Sequence, residues 1–326
     1  MEPKPAKSCC GGSRGQFTEL SGLPDGTRTA VMTGMEKADT DPAEGMILLP
    51  GGSFDMGTED GEGFPADGEG PVHEVHLKPF YVDPHAVSNA QFREFARQTG
   101  YVTEAERFGW SFVFHSFVSP ETARNVTQVP SQTPWWYVVR GASWDHPEGP
   151  DSDLRDRMDH PVLHVSWNDA AAYCKWAGKR LLTEAEWEYA ARGGLVRKRY
   201  PWGDELKPGG GHRCNIWQGK FPLKDNGSDG YRGTAPVHAY PPNGYGLYNV
   251  SGNVWEWCSD WFSPAYYACS PADNPQGPAS GDARVMRGGS YLCHKSYCNR
   301  YRTAARSKNT PDSSAGNIGF RCAADA

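Results

Sequence analysis

Two cysteines separated by four residues, Cys293 and Cys298, lie in the segment Arg287-Gly288-Gly289-Ser290-Tyr291-Leu292-Cys293-His294-Lys295-Ser296-Tyr297-Cys298-Asn299-Arg300. Thiols so placed can close a local disulfide, hold a metal ion, or act as a redox pair. The spacing differs from the Cys-x2-Cys of structural zinc, and no second Cys/His pair at finger spacing follows. A bis-thiolate site suits Cu(I) better than a hard cation, because sulfur is a soft donor. Lys295, Arg300 and Arg302 would favour the thiolate wherever they point inward. Spacing alone leaves all three uses open.

Oxygen donors gather in two other stretches. Asn249-Val250-Ser251-Gly252-Asn253-Val254-Trp255-Glu256-Trp257 offers Asn and Glu oxygens with backbone carbonyls in a glycine-containing turn. Asn215-Ile216 with Asp225-Asn226-Gly227-Ser228-Asp229-Gly230-Tyr231 makes a similar set. Ca²⁺ takes six to eight such oxygens, although neither stretch is an EF-hand. The same residues also build Asx-turns that hold no ion. Gly209-Gly210-Gly211 lacks the Lys-Ser/Thr that completes a phosphate loop. Neither a Gly-x-Ser-x-Gly elbow nor a His-Glu-x-x-His pair occurs. Glu184, Glu186 and Glu188 read most simply as a solvated helix face.

The elements that must position these groups are short. Met46 to Leu49 is an apolar run ended by Pro50-Gly51-Gly52, and His73 to Leu77 alternates like a half-buried strand. Ser88 and Gln91 have capping-box spacing, Phe92 and Phe95 share a face, and Gly100 closes that helix. A second helix follows Ser166 and stops at Gly178; a third opens at Thr183 and ends at Gly193-Gly194. Beyond Gly194 the chain reads as short strands, turns and aromatic loops.

Composition agrees with this picture. Among 326 residues there are 38 Gly, 26 Pro, 12 Trp and 15 Tyr, a mixture that suits aromatic-pinned loops and not a helical bundle. The net charge of −6 argues against a nucleic-acid partner, and no apolar run has the length of a membrane span. Residues 1–44 are polar and without period, which predicts a disordered leader ahead of one domain over 45–326. No secretory-type apolar region follows Lys4 and Lys7, so the expected address is cytoplasmic. Nine cysteines are then expected to be mostly reduced.

The cysteine segment, with Arg300-Tyr301-Arg302 and Asn317-Ile318-Gly319-Phe320-Arg321-Cys322, resembles the formylglycine-generating enzymes of the sulfatase-modifying-factor family. So do Asn215-Ile216-Trp217-Gln218-Gly219, Gly244-Tyr245-Gly246-Leu247-Tyr248-Asn249 and Arg180-Leu181-Leu182-Thr183-Glu184. The resemblance spans about Gly45 to Asp325. It implies a single loop-rich α+β domain of low regular secondary structure, similar to the C-type-lectin-like fold.

It also implies a reaction: oxidation of a cysteine within Cys-x-Pro-x-Arg of an unfolded or nascent sulfatase to Cα-formylglycine, with O2 as co-substrate. By the same carry-over Cys293 and Cys298 hold Cu(I), Ser290 and Tyr297 line the oxygen pocket, and Trp255 walls it. Asn317, Arg306 and His294 fall on the substrate side. One structural Ca²⁺ would take Asn215, Ile216, Asp229 and Tyr231, and a second Asn249, Gly252, Val254 and Glu256. Cys174 and Cys322 match a disulfide of the secreted relatives, while another such pair stands here as Ala191 and Thr303. A monomer is sufficient for this chemistry. The rival from another class is a calcium-stabilised binding module whose two cysteines close a local disulfide.

Overall fold

The computed structural model describes residues 12–15 and 41–326. The two ends of the domain meet in one antiparallel sheet. Ile47–Leu49 pairs with Phe80–Val82, that strand pairs with Cys322–Asp325, and Arg180–Leu181 adds at the far edge. A second sheet is centred on Trp255–Trp261, which runs antiparallel to Arg284–Arg287 and parallel to Ile318–Gly319. Arg306–Asn309 covers the outer side of Arg284–Arg287. Three two-stranded ribbons complete the strands, among them Gly52–Met56 with His73–Leu77 and Trp110–Phe114 with Trp136–Arg140. The elements are short and mixed, as the composition predicts.

Among the described residues five α-helices join these sheets: α1 (Asn89–Thr99), α2 (Glu104–Phe108), α3 (Pro120–Ala123), α4 (Trp167–Trp176) and α5 (Glu184–Arg192). Helices α1, α4 and α5 start where the sequence places them. Ser88, Ser166 and Thr183 each accept from the backbone N–H three residues on, and each N3 side chain returns the bond. Gly100 and Gly193 end α1 and α5 in the left-handed region.

Two aromatic cores result. One joins Phe92, Phe112, Trp136, Trp217, Trp255 and Trp257 to Cys293 and Cys298. The other lies around Trp187, Leu182 and Phe80. Among the described residues no helix is long and apolar enough to cross a membrane.

Two expectations are corrected. Helix α5 is buried on every side, so Glu184, Glu186 and Glu188 do not form a solvated face. Their carboxylates meet arginines arriving from neighbouring strands, and that pairing is what permits their burial. The leader is likewise not wholly without structure. Arg14 is 5% exposed and bonds across the fold to Trp110, Asp312 and Ser314. Its remaining residues, 1–11 and 16–40, lie outside those described.

Candidate active site

The strand Arg284–Arg287 delivers the chain into the cysteine loop through Gly288 and Gly289, with φ of 90° and 75°. Gly289 is required for contact as well as conformation: a Cβ there would stand 2.7 Å from the Arg300 carbonyl oxygen. The loop then folds back on itself. The His294 carbonyl accepts from the amides of Tyr297 and Cys298, at 2.9 and 3.0 Å, which closes one tight turn between the two cysteines. Cys293 and Cys298 are both buried. Ser290 N–H points to Cys293 Sγ at 3.3 Å, a donor that favours charge on sulfur. Trp217 N–H donates to the Cys293 carbonyl at 3.1 Å and so ties the loop to the Asn215 stretch.

Ser290 is fixed from two sides. Asn317 Nδ2 donates to its Oγ at 3.0 Å and Leu292 N–H at 3.3 Å. Both acceptor positions are then filled, so the hydroxyl hydrogen is left to donate elsewhere. Asn317 is itself held, because its carbonyl accepts from Trp255 N–H at 2.9 Å. Tyr297 stacks on Phe221 with centroids 4.6 Å apart and meets Trp135 edge-on at 4.9 Å. Trp255 is fully buried in the same cluster as both cysteines. The buried atoms Trp217 Nε1, Trp255 Nε1 and Asn317 Oδ1 have no hydrogen-bond partner among the described residues. A buried polar atom without a partner is costly, and such groups mark places where a ligand completes the site.

The structure sets Asn317 against Ser290 beside Cys293, and it places Trp255 and Tyr297 in or against the aromatic cluster that holds both cysteines. Arg306 does not belong with them. It is buried on Arg306–Asn309, with Nε and Nη2 each 2.7 Å from Glu184 and its plane over Tyr267 and Phe262. A guanidinium so committed has no fork left for a substrate. Arg300 and Arg302 do not serve the thiols either, since they pair with Asp67 and Glu69. The His294 ring turns toward Ser296, with Nδ1 2.8 Å from its Oγ, and its backbone carbonyl organises the loop. Burial, then Lys295, lowers its pKa. Trp217, Phe221 and Trp135 were missed as wall residues.

The oxygen-rich stretches converge. Asp229 accepts from Ile216 N–H at 3.0 Å and from Tyr231 N–H at 3.3 Å. Burial raises its pKa, a penalty that a cation would offset. Asn215 bridges to Gly252, so the two sets share one seam. Asn253, a residue the sequence reading did not single out, stitches that seam: its Oδ1 accepts from Asn215 Nδ2 and from Ala235 N–H. In the second set Asn249, at φ 51°, has a buried Oδ1 without a partner among the described residues. Glu256 departs from expectation, because Arg321 takes both of its oxygens at 2.7 Å and Trp187 Nε1 adds to one. It is an ion-pair partner first, and any cation beside it would share the carboxylate with a like charge.

Among the described residues no three His, Cys, Asp or Glu side chains cluster as a metal site. The thiol pair and the amide-and-carbonyl sets are of other kinds. Cys174 and Cys322 stand as buried thiols with sulfurs 3.5 Å apart.

This is a loop-rich α+β domain with paired buried thiols beside oxygen-lined turns. The family model described as sulfatase-modifying factor enzyme 1-like domain matches residues 31–326, and the chain belongs to that family. It is 65% identical over 286 residues to a formylglycine-generating enzyme of Thermomonospora curvata, covering 87% of this chain and 94% of that one. It is 64% identical over 282 residues to a formylglycine-generating enzyme of Streptomyces coelicolor, covering 86% and 90%. The solved structure of PvdO from Pseudomonas aeruginosa superposes with a TM-score of 0.62 at 26% identity, over 86% of this chain and 94% of that one.

Proposed function

We propose that this chain is a formylglycine-generating oxidase. It converts the cysteine of a Cys-x-Pro-x-Arg segment in a nascent or unfolded sulfatase to Cα-formylglycine, with O2 as oxidant. The observation that carries the reading is the buried Cys293–Cys298 turn backed by Ser290 and Asn317, in a chain so close to relatives bearing that name. The balance is thiol plus O2 plus two electrons and two protons from a thiol reductant, giving aldehyde, hydrogen sulfide and water.

Cys293 and Cys298 would hold Cu(I), whose preference for soft sulfur fits a two-thiolate set without carboxylates or imidazoles. Copper would supply the one-electron chemistry that lets O2 react. The chain's own residues do the rest. Trp255, Trp217 and the Tyr297–Phe221 stack exclude water. Ser290 presents a preset hydroxyl donor to reduced oxygen, since both its acceptor positions are occupied. A cytoplasmic monomer is the working form of the proposal.

Calcium would be structural, held by Asn215, Asp229 and the carbonyls of Ile216 and Tyr231. A second ion at Asn249 would use the carbonyls of Gly252 and Val254 and share Glu256. The orphaned Asn249 Oδ1 supports it.

The test is mass spectrometry on a Cys-Thr-Pro-Ser-Arg peptide with Cu(I)-loaded protein, air and a thiol reductant. Aldehyde formation that needs both copper and O2 is expected. No conversion with copper verified as bound would sink the reading. Chelating calcium is expected to lower Tm by several degrees, since an ion at about 100 times its Kd adds about 2.7 kcal/mol. An unchanged Tm after verified removal would count against both calcium sites.

A further inference from the structure

The cysteine chemistry does not use the short N-terminal stretch that docks far from its place in sequence. Arg14 Nη2 donates to the Trp110 carbonyl at 3.0 Å and to Ser314 Oγ at 2.9 Å, and Nε donates to the Asp312 carbonyl at 2.9 Å. Its backbone N–H donates to Ser313 Oγ at 2.9 Å, and Ser13 Oγ lies 3.2 Å from Thr310 Oγ1. The guanidinium sits over the rings of Phe108 and Trp110, at 4.3 and 4.2 Å. Gly12 lies flat on the fold: a Cβ there would be 2.8 Å from the Phe112 ring and 3.0 Å from Pro130.

This place is joined to the active site. The segment that receives Arg14 at Asp312–Ser314 continues to Asn317, which holds Ser290 beside Cys293. Three residues separate Ser314 from Asn317, with a turn at Gly316-Asn317, so the chain between them spans at most about 10 Å. A target cysteine and the arginine four residues after it in Cys-x-Pro-x-Arg span a similar distance. The chain's own sequence here is Cys10-Gly11-Gly12-Ser13-Arg14, with the same cysteine-to-arginine spacing and glycine in place of proline.

We infer that Gly12-Ser13-Arg14 is a built-in competitor, seated where the arginine end of a substrate peptide binds until that peptide displaces it. The inference rests on the substrate proposed above. Cys10 and Gly11 lie outside the described residues, and only their spacing enters. The seat is strong enough to fill and weak enough to leave. Arg14 is desolvated against carbonyls and hydroxyls and, among the described residues, makes no hydrogen bond to a carboxylate and leaves Nη1 without a partner. A buried cation held that way is retained far less firmly than one in a bidentate ion pair.

The experiment compares the full chain with its Arg14→Glu variant. When a resident segment blocks most molecules, apparent affinity falls by the blocked fraction. The variant is therefore expected to show KM for the Cys-Thr-Pro-Ser-Arg peptide lowered about tenfold, with kcat unchanged. A second readout needs no turnover. Trypsin should spare the Arg14–Gly15 bond of the wild type, and an excess of the unreactive Ser-Thr-Pro-Ser-Arg peptide should expose it. Equal KM in both forms, or cleavage after Arg14 that ignores the peptide, would overturn the inference and leave the oxidase reading standing. Oxidation by neither form, with Arg14 protected and no release by peptide, would instead bring down the substrate reading and the inference with it.

Discussion

Two buried regions of this molecule treat their polar groups in opposite ways. Around α5, Glu184 and Glu188 are enclosed by Arg192, Arg287 and Arg306, and every carboxylate oxygen receives at least one donor. Glu256 with Arg321 and Trp187 repeats the pattern nearby. Around the cysteine loop, by contrast, Asn317 Oδ1, Trp255 Nε1 and Trp217 Nε1 lie buried without partners among the described residues. In the first region charge is cancelled by charge, although Arg192 Nη1 and Arg287 Nε stay without partners among the described residues. The second leaves neutral polar atoms unpartnered beside two thiols. Both lie within the same fold and use similarly buried side chains, so neither burial nor an unpartnered atom alone marks the functional place; the neighbouring thiols do.

Substitutions can break this contrast. The largest effect is expected from Cys298→Ser, which should abolish peptide oxidation while leaving the denaturant midpoint nearly unchanged. Wild-type turnover in that variant would remove the thiol pair from the mechanism. Arg306→Ala should do the reverse. It leaves Glu184 Oε2 without its donor while Arg287 and Tyr267 stay on Oε1, at a cost of about 1–3 kcal/mol. Tm should then fall by about 5 °C, while activity per folded molecule at low temperature is retained. Loss of kcat without loss of stability would return Arg306 to the substrate side.

How much of this could be read from the sequence differs between the two regions for a physical reason. Local signals were legible: the capping boxes at Ser88, Ser166 and Thr183 need only four consecutive residues, and all three helices start there. The cysteine loop was legible because its functional groups are close in sequence and Asn317 sits in a phrase of its own. The arginine cage was not. Glu184 meets Arg306 across 122 positions, and α5, with charged residues at alternate positions, mimics a solvated surface until arginines from two other strands arrive. The same blindness put Arg306 on the substrate side. It also hid Arg14, whose partners on Asp312–Ser314 lie roughly 300 residues away in a segment without any periodic signal.

His164 tests whether the catalytic half is also the acid-sensitive half. Its φ is 56°, its ring is fully buried, and Nε2 lies 2.8 Å from the Pro147 carbonyl, which can only accept. Nε2 therefore carries the hydrogen, and Nδ1, 2.8 Å from Ser111 Oγ, accepts. Burial pulls its pKa from the ordinary value of 6.5 down to about 3, with Arg14 and Arg157 pushing the same way. The unfolded chain binds a proton there at pH 5 and the folded one does not. Stability from this group is thus complete above about pH 6.5 and is lost on acidification toward pH 3, at roughly 1 kcal/mol per pH unit. Burial raises Asp169 to about 6 and Asp260 to about 7, so those carboxyls act in the opposite direction and flatten the wild-type profile. The variant His164→Asn, whose side chain tolerates a left-handed backbone, isolates the contribution. Its stability deficit against wild type should be largest near pH 7 and shrink by pH 5, read as paired urea midpoints. A deficit independent of pH would show that the imidazole is not held neutral. Ser111 also contacts Ser314, on the segment leading to Asn317, so acid should reach the catalytic loop by this route while the arginine cage, its charges paired, stays closed.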